Sequence, residues 1–109
     1  MKILRGHLLG AVVLGWAGSA SAQDVVKIGL VGPFTGGSAP LGISIRDGVK
    51  LAVTEINAKG GIGGRKVELV ERDDESKPER GIQIAQELIN NERIVSAVGI
   101  ANTPVALAA

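Results

Sequence analysis

The chain has 109 residues, with 12 Lys and Arg against 11 Asp and Glu, and it contains no cysteine. Two of the basic residues lie in the first seven positions, so the remainder carries 10 basic and 11 acidic side chains. Nothing in this near balance suggests binding to nucleic acid or to an anionic membrane surface. Without cysteine there are no disulfides, so packing alone must stabilise the fold.

The amino terminus has the three-part plan of a secretory signal peptide. Lys2 and Arg5 precede ten uncharged residues at 8–17, and small residues follow as far as Ala22. A membrane anchor is the weaker interpretation, because a bilayer crossing needs about 20 apolar residues. No cysteine follows to carry a lipid. We predict cleavage after Ala22 and release of residues 23–109 into a periplasm.

The next stretch, VVKIGLV at 25–31, is almost continuously apolar, which is typical of a parallel strand buried on both faces. It runs into a turn that contains Gly32, Pro33, Gly36, Gly37 and Pro40. A helical pattern follows the turn. Strand, turn and helix together predict the opening of an open α/β sheet, in which ligands bind beyond the carboxyl ends of the strands.

The first helix is predicted over residues 43–59. Apolar residues at three- and four-residue steps predict its buried face: Leu41, Ile45, Val49, Ala52, Val53 and Ile56. The glycine-rich stretch GGIGG at 60–64 matches neither G-x-G-x-x-G after a strand nor G-x-x-x-x-G-K-[ST]. We interpret it as a helix-to-strand turn rather than a phosphate-binding loop.

Residues 66–72 (KVELVER) predict a second strand with Val67 and Leu69 on one face, and with Glu68 and Val70 on a partly wet face that suits an edge position. The acidic run at 73–75 follows. Oxygen ligands of this kind can hold a metal, but EF-hand spacing and a histidine after position 7 are both lacking. We favour a solvated turn whose carboxylates bind neighbouring backbone amides.

A second helix is predicted to begin with a capping box, with Ser76 as N-cap and Glu79 three residues later. Its predicted buried face consists of Ile82, Ala85, Leu88 and Ile89. Residues 94–100 (IVSAVGI) predict a third strand. Thr103 is then predicted as the N-cap of a third helix, with Pro104 as its first residue.

The order β-α-β-α-β-α predicts an α/β fold with a parallel, doubly wound sheet and strand order 2-1-3. That order leaves the apolar third strand uncovered at an edge, which proteins avoid. We therefore expect another strand beside it, and we expect residues 23–109 to be an incomplete domain.

The ordered set KIGLVGPFTG, DGVKLAVTEINAKGGIGGRKVELVERDD, Pro78, Ala85, Leu88 and Ile89 resembles the start of a branched-chain amino acid ABC transporter substrate-binding protein. The resemblance implies a periplasmic-binding-protein type I fold, with residues 23–109 as the first part of lobe one and the second lobe missing. It implies capture of a branched-chain amino acid or similar small polar solute, delivery to an inner-membrane ABC permease, and no catalysis. We expect a monomer.

The resemblance also implies which residues contact the solute: Phe34, Thr35, Gly36, Leu41, Asn102 and Thr103. Some members are aromatic at position 41, whereas this chain offers an aliphatic side chain. Thr103 matches a hydroxyl that holds a ligand carboxylate, although it could equally cap its own helix, and both roles can coexist. Ser76 and Asn102 match positions that some members join by a disulfide.

Other interpretations stay open. An exported α/β enzyme would need a nucleophile, base or cofactor loop, and the sequence shows no such constellation. The ligand-sensing domain of a receptor shares the implied fold, and a truncated reading frame fits as well. The solute could be an amide, urea or an aromatic acid. Because half a site keeps few contacts, we expect the 109-residue chain alone to bind weakly or not at all.

Overall fold

A computed structural model describes residues 25–109, and the predicted signal peptide with its cleavage site lies outside them. The elements alternate as β1 (Val26–Gly32), α1 (Ala39–Ala58), β2 (Val67–Asp73), α2 (Pro78–Asn90), β3 (Ser96–Val98) and α3 (Thr103–Ala108). None of these helices is both long and apolar enough to cross a bilayer.

The three strands form one parallel sheet in the order β2-β1-β3, which confirms the predicted topology. β1 and β2 pair along their whole length, from Val26 opposite Val67 to Gly32 opposite Asp73. β1 pairs with β3 only from Ile28 to Leu30. Because the strands are parallel, the turns after β1, β2 and β3 all leave from one edge of the sheet, which we call the carboxyl edge.

β1 is buried on both faces, as its apolar run predicts. Leu30 lies beside Ile45 of α1, whereas Val31 joins the core cluster with Val70 and Leu88 on the opposite face. The prediction that Val70 lies on a wet face is wrong, because α2 covers that face. The sheet therefore has α1 on one side and α2 on the other.

α1 begins at Ala39, four residues before the predicted start, because Pro40 occupies its first turn, where a missing N–H costs nothing. The predicted buried face is partly wrong, because Leu41 is 54% exposed and Ala52 is exposed. The remaining predicted residues are half-buried: Ile45, Val49, Val53 and Ile56. The fully buried residue of α1 is Gly42.

The turn at 60–64 connects α1 to β2, as predicted. Ile62 and Arg65 form an antiparallel bridge that closes it. Gly61 has φ +80°, and a Cβ there would lie 2.0 Å from the carbonyl oxygen of Arg65, so the turn requires glycine at this position. Beside the turn, the Asn57 amide donates to the carbonyl of Val67 and accepts from its N–H, at 2.9 and 2.8 Å. This pair of bonds fixes the end of α1 to the start of β2.

The predicted capping box before α2 is wrong. The helix begins at Pro78 after Lys77, which makes no side-chain cap. Ser76 has a left-handed backbone with φ +59°, and its N–H donates to a carboxylate oxygen of Asp74 at 2.8 Å. Ser76 therefore lies one residue too early, in the preceding turn.

The predicted buried face of α2 is confirmed at Leu88 and is wrong at Ile82 and Ile89. Gly81, Ile84 and Leu88 are buried, Ala85 is half-buried, and Ile82 and Ile89 are 42% and 63% exposed. Gly81 belongs to this stripe because Val105 of α3 packs directly against it. A glycine in the stripe hides its apolar periodicity in the sequence.

β3 is shorter than predicted, and all three of its residues are exposed. The N–H of Val95 donates to the carbonyl of Lys27 in β1 at 2.9 Å, whereas the N–H of Ile94 donates to Leu88 of α2, and Gly99, with φ +94°, follows the strand. The N-cap of α3 is Asn102, so Thr103 is the first helical residue and Pro104 the second; the predicted cap at Thr103 is wrong.

Candidate functional site

The structure places all six predicted site residues near the carboxyl edge, in two groups. Phe34, Thr35 and Gly36 lie in the turn after β1, with Leu41 in the first turn of α1; Asn102 and Thr103 lie at the start of α3. β1 and β3 are neighbouring strands, so both groups leave from adjacent positions in the sheet. Within residues 25–109, no direct hydrogen bond joins the two groups.

The carboxylate of Asp73, at the end of β2, fixes the turn after β1. Its Oδ1 accepts the N–H of Phe34 at 2.9 Å and that of Glu75 at 2.9 Å. Its Oδ2 accepts the hydroxyl proton of Thr35 at 2.6 Å. Partial burial would raise the pKa of Asp73, but the Thr35 hydroxyl and the backbone N–H groups outweigh it and hold that pKa below its ordinary value of 3.8. Asp73 is therefore a charged acceptor at neutral pH.

The Phe34 ring is held on two sides. One ring edge lies against Gly32 at the end of β1, where a Cβ would approach ring carbon Cε1 to 3.0 Å. The guanidinium of Arg46 lies 5.5 Å from the ring centroid, a cation–π distance. Arg46 also lies 3.7 Å from the carboxylate of Asp47, and its buried Nε has no hydrogen-bond partner in the described part of the chain. The turn thus combines a fixed aromatic surface with a nearby positive charge.

Gly42 sets how closely α1 approaches this turn. A Cβ at Gly42 would lie 2.1 Å from the carbonyl oxygen of Pro33, so any other residue would push the helix away. The neighbouring Leu41 points outward and is 54% exposed. Its side chain is free to offer the aliphatic contact that the sequence predicts.

The expectation of a solvated acidic turn is wrong for Asp74, which is 0% exposed. Its Oδ1 accepts the N–H of Ser76 at 2.8 Å, and its Oδ2 has no partner among the described residues. The expectation that these carboxylates bind backbone amides is confirmed for both Asp73 and Asp74. The turn is therefore packed at Asp74, whereas Glu75 and Ser76 are exposed.

The second group of site residues is tied to the same acidic turn. The Asn102 amide donates to the hydroxyl oxygen of Ser76 at 2.8 Å. These are the two positions that the sequence matched to a disulfide in similar proteins, and here a hydrogen bond joins them. Thr103 is exposed, and the N-cap residue Asn102 makes no side-chain cap bond to α3.

Two cavities in the described part of the chain lie away from these residues. An apolar cavity of about 180 Å³ lies between α2, α3 and the β3 side of the sheet. A polar cavity of about 280 Å³ lies at the opposite end, against the 60–64 turn and Lys66. Residues 25–109 contain no group of three His, Cys, Asp or Glu side chains that could hold a metal ion.

Sequence reasoning missed Arg46 and did not place Asp73 in the site. Asp73 had a usable signal, because an acidic residue ending one strand lies beside the turn of the neighbouring parallel strand. Arg46 gave none, because it is one of several charged residues along α1.

A sequence model described as "Periplasmic binding protein" matches residues 25–109. The chain is 36% identical over 84 residues to the Leu/Ile/Val-binding protein of Escherichia coli, covering 77% of this chain and 23% of that protein. The structure of the branched-chain amino acid transporter substrate-binding protein LivJ of Streptococcus pneumoniae, in complex with isoleucine, matches with TM-score 0.75 and 32% identity, over 78% of this chain and 24% of that one.

A solute-binding protein of an ABC transporter from Rhodopseudomonas palustris, solved with 3,4-dihydroxybenzoic acid, matches with TM-score 0.72 and 36% identity, over 79% of this chain and 23% of that one. The chain spans about a quarter of the length of these relatives. The family match at residues 25–109 includes the whole sheet and both groups of predicted site residues. The chain belongs to the periplasmic binding protein family.

Proposed function

We propose that residues 23–109 form the first part of lobe one of an ABC importer's solute-binding component, which captures a branched-chain amino acid or a similar small polar solute. The observation that carries this proposal is the placement of two turns, after β1 and after β3, at adjacent positions on the carboxyl edge. In open α/β sheets this edge is where ligands bind. A relative with 32% identity was solved with isoleucine.

Each group would contribute a different contact. Phe34 and the exposed Leu41 offer apolar surface for an aliphatic or aromatic side chain. Gly36 offers backbone, while Asn102 and Thr103 offer polar groups at the start of α3. A second lobe would close over these contacts, and the bound solute would be delivered unchanged to an inner-membrane permease. Export to the periplasm follows from the predicted signal peptide.

The experiment uses an exchange protein, in which residues 25–109 of this chain replace the matching segment of the Escherichia coli Leu/Ile/Val-binding protein. Titration calorimetry with L-isoleucine is expected to give a Kd within about tenfold of the parent, or about 1.4 kcal/mol. Thr103→Val is expected to weaken binding, and Thr54→Val, on an exposed face of α1, is not. A folded exchange protein that binds no solute would contradict the proposal.

A second candidate solute is an aromatic acid. A relative with 36% identity was solved with 3,4-dihydroxybenzoic acid, and the fixed Phe34 ring could stack on such a ligand. The same titration with 3,4-dihydroxybenzoate decides between them. Tighter binding of the aromatic acid than of isoleucine would assign the aromatic class.

A further inference from the structure

We infer that Asp73 is a positioning residue of the solute site. It accepts the hydrogen bond of the Thr35 hydroxyl, so that Thr35 can interact with the solute only as a hydrogen-bond acceptor. This inference rests on the proposed function, because it names how one of the contacting residues works. It assigns a role to Asp73, which has no part in the predicted set of contacts.

The carboxylate of Asp73 accepts three hydrogen bonds, which together we call the clasp. Two of them come from residues 34 and 35, which lie 39 and 38 positions earlier in the sequence. Both oxygens of Asp73 are engaged: Oδ1 by the N–H groups of Phe34 and Glu75, and Oδ2 by the Thr35 hydroxyl at 2.6 Å. Hydrogen bonds to an ionised carboxylate are shorter and about twice as strong as neutral ones. The turn after β1 is therefore held by β2, its neighbour in the sheet.

The chemistry of the hydroxyl gives the consequence. A threonine hydroxyl has one proton and two lone pairs. Since the proton lies on the bond to Asp73, Thr35 retains only lone pairs for the solute. A solute ammonium or hydroxyl can donate to it, whereas a solute carboxylate must find its donors elsewhere.

The adjacent aspartate extends the same turn toward the other group of site residues. Asp74 accepts the N–H of Ser76, and the Ser76 hydroxyl accepts from Asn102. Glu75 and Ser76 both have left-handed backbones, at φ 51° and 59°, a costly conformation for residues other than glycine. The two aspartate side chains bind the N–H groups of these strained residues, which stabilises a turn linked to both groups.

The presence of the clasp is tested first without solute, by ¹H–¹⁵N NMR of the full chain. The Phe34 amide resonance is expected to move when Asp73 is replaced by Asn, because the acceptor loses its charge. Thr54→Val is the matched control, since the Thr54 hydroxyl donates to a helix carbonyl on an exposed face. If the Phe34 resonance moves no more in Asp73→Asn than in the control, the positioning role is wrong.

The role of Thr35 as an acceptor is then tested by measuring isoleucine affinity in the exchange protein. Thr35→Val and Asp73→Asn are each expected to weaken binding about tenfold, as expected for a hydrogen bond to a charged group. The double variant is expected to bind isoleucine with an affinity within about twofold of the weaker-binding single variant, because both substitutions break the same clasp. Thr35→Ser, which keeps the hydroxyl, is expected to restore binding.

Other outcomes overturn the inference. Loss of affinity in Thr35→Val with unchanged affinity in Asp73→Asn would make Thr35 a direct donor to the solute. A loss of affinity of about 100-fold in the double variant, the product of the two single losses, would show that the two residues act independently. Absence of isoleucine binding in the parent exchange protein counts against the proposed function alone, because the Phe34 resonance still decides whether the clasp exists.

Discussion

The two sides of β1 differ in how completely they are built. On the β2 side, the strands pair over all seven residues of β1, the Asn57 side chain of α1 bonds to the start of β2, and the Asp73 side chain of β2 bonds to the turn after β1. On the β3 side, the strand has three residues, all exposed, and residues of α2, α3 and the sheet line an apolar cavity.

This difference places the two groups of site residues in different surroundings. The turn after β1 is held by β2 through Asp73. Among residues 25–109, the loop after β3 has a single side-chain hydrogen bond to the turn after β2, between Asn102 and Ser76, and α3 behind it exposes Leu107 by 84%. Regions with few buried contacts open most readily. We therefore expect the turn after β1 to be held more firmly than the loop after β3.

The largest expected effect is at Leu88, in the core that α2 forms over β1. Leu88→Ala removes a side chain that is 1% exposed and leaves a cavity, so we expect the free energy of unfolding to fall by about 3 kcal/mol. Urea denaturation measures it. Ile89→Ala on the same helix, where the side chain is 63% exposed, is the control and should change stability by less than about 0.5 kcal/mol. Equal effects would contradict the observed burial pattern of α2.

Asn57 gives the next largest effect. Asn57→Ala leaves the N–H and carbonyl of Val67 without their side-chain partner, and we expect a loss of about 2 kcal/mol. Thr54→Ala removes a hydroxyl one turn earlier on the exposed face, and we expect little change from it. A loss in Asn57→Ala no larger than in this control would show that the start of β2 is held without Asn57.

The clasp makes the β2 side sensitive to acid. Because the pKa of Asp73 is lower in the folded chain than its ordinary value of 3.8, its stabilisation is fully present above that value and is lost as the pH falls through the lower folded pKa. Asp73→Asn should therefore be less stable than the parent at about pH 7, and the difference should shrink at about pH 3. Denaturation midpoints at both pH values measure this.

Glu87 does not disturb this comparison. A hydrogen bond from Arg72 lowers the pKa of Glu87 as well, but this pair is present in both proteins and cancels in the difference. A stability difference that is the same at both pH values would show that the Asp73 charge does not stabilise the turn.

The smallest expected effect is on the β3 side. Asn102→Ala removes an exposed hydrogen bond to Ser76, and we expect a loss of less than about 1 kcal/mol. Asn90→Ala, at the exposed end of α2, is the control. A loss above about 2 kcal/mol would mean that the β3 side is as firmly held as the β2 side.

The architecture could be predicted from the sequence because it depends on local patterns. The apolar run of β1, the helical patterns and the glycines at 60–64 predict the element order, and short right-handed connections then predict the parallel sheet and its strand order. The start of α1 was misplaced because Gly36, Gly37 and Pro40 end most helices, although proline is accepted in a first turn. The α2 face was misplaced because one of its positions is a glycine.

The sequence was sufficient to predict which turns form the site, but not which side chains contact one another within it. Phe34 and Thr35 follow β1 directly, so their position at the carboxyl edge follows from topology. Their bonds to Asp73 cross 39 and 38 residues of sequence, and no local pattern encodes them. Ser76 was read as a helix cap because its type and spacing suit that role, whereas its backbone conformation depends on Asp74.

The most direct test of solute binding at the carboxyl edge is an amide ¹H–¹⁵N NMR map of the exchange protein with and without L-isoleucine. We predict that resonances of Phe34, Thr35 and Gly36 and of Asn102 and Thr103 move together on one binding curve, while those beside the polar cavity, such as Gly60 and Lys66, stay fixed. Saturable binding that moves neither turn would contradict the account.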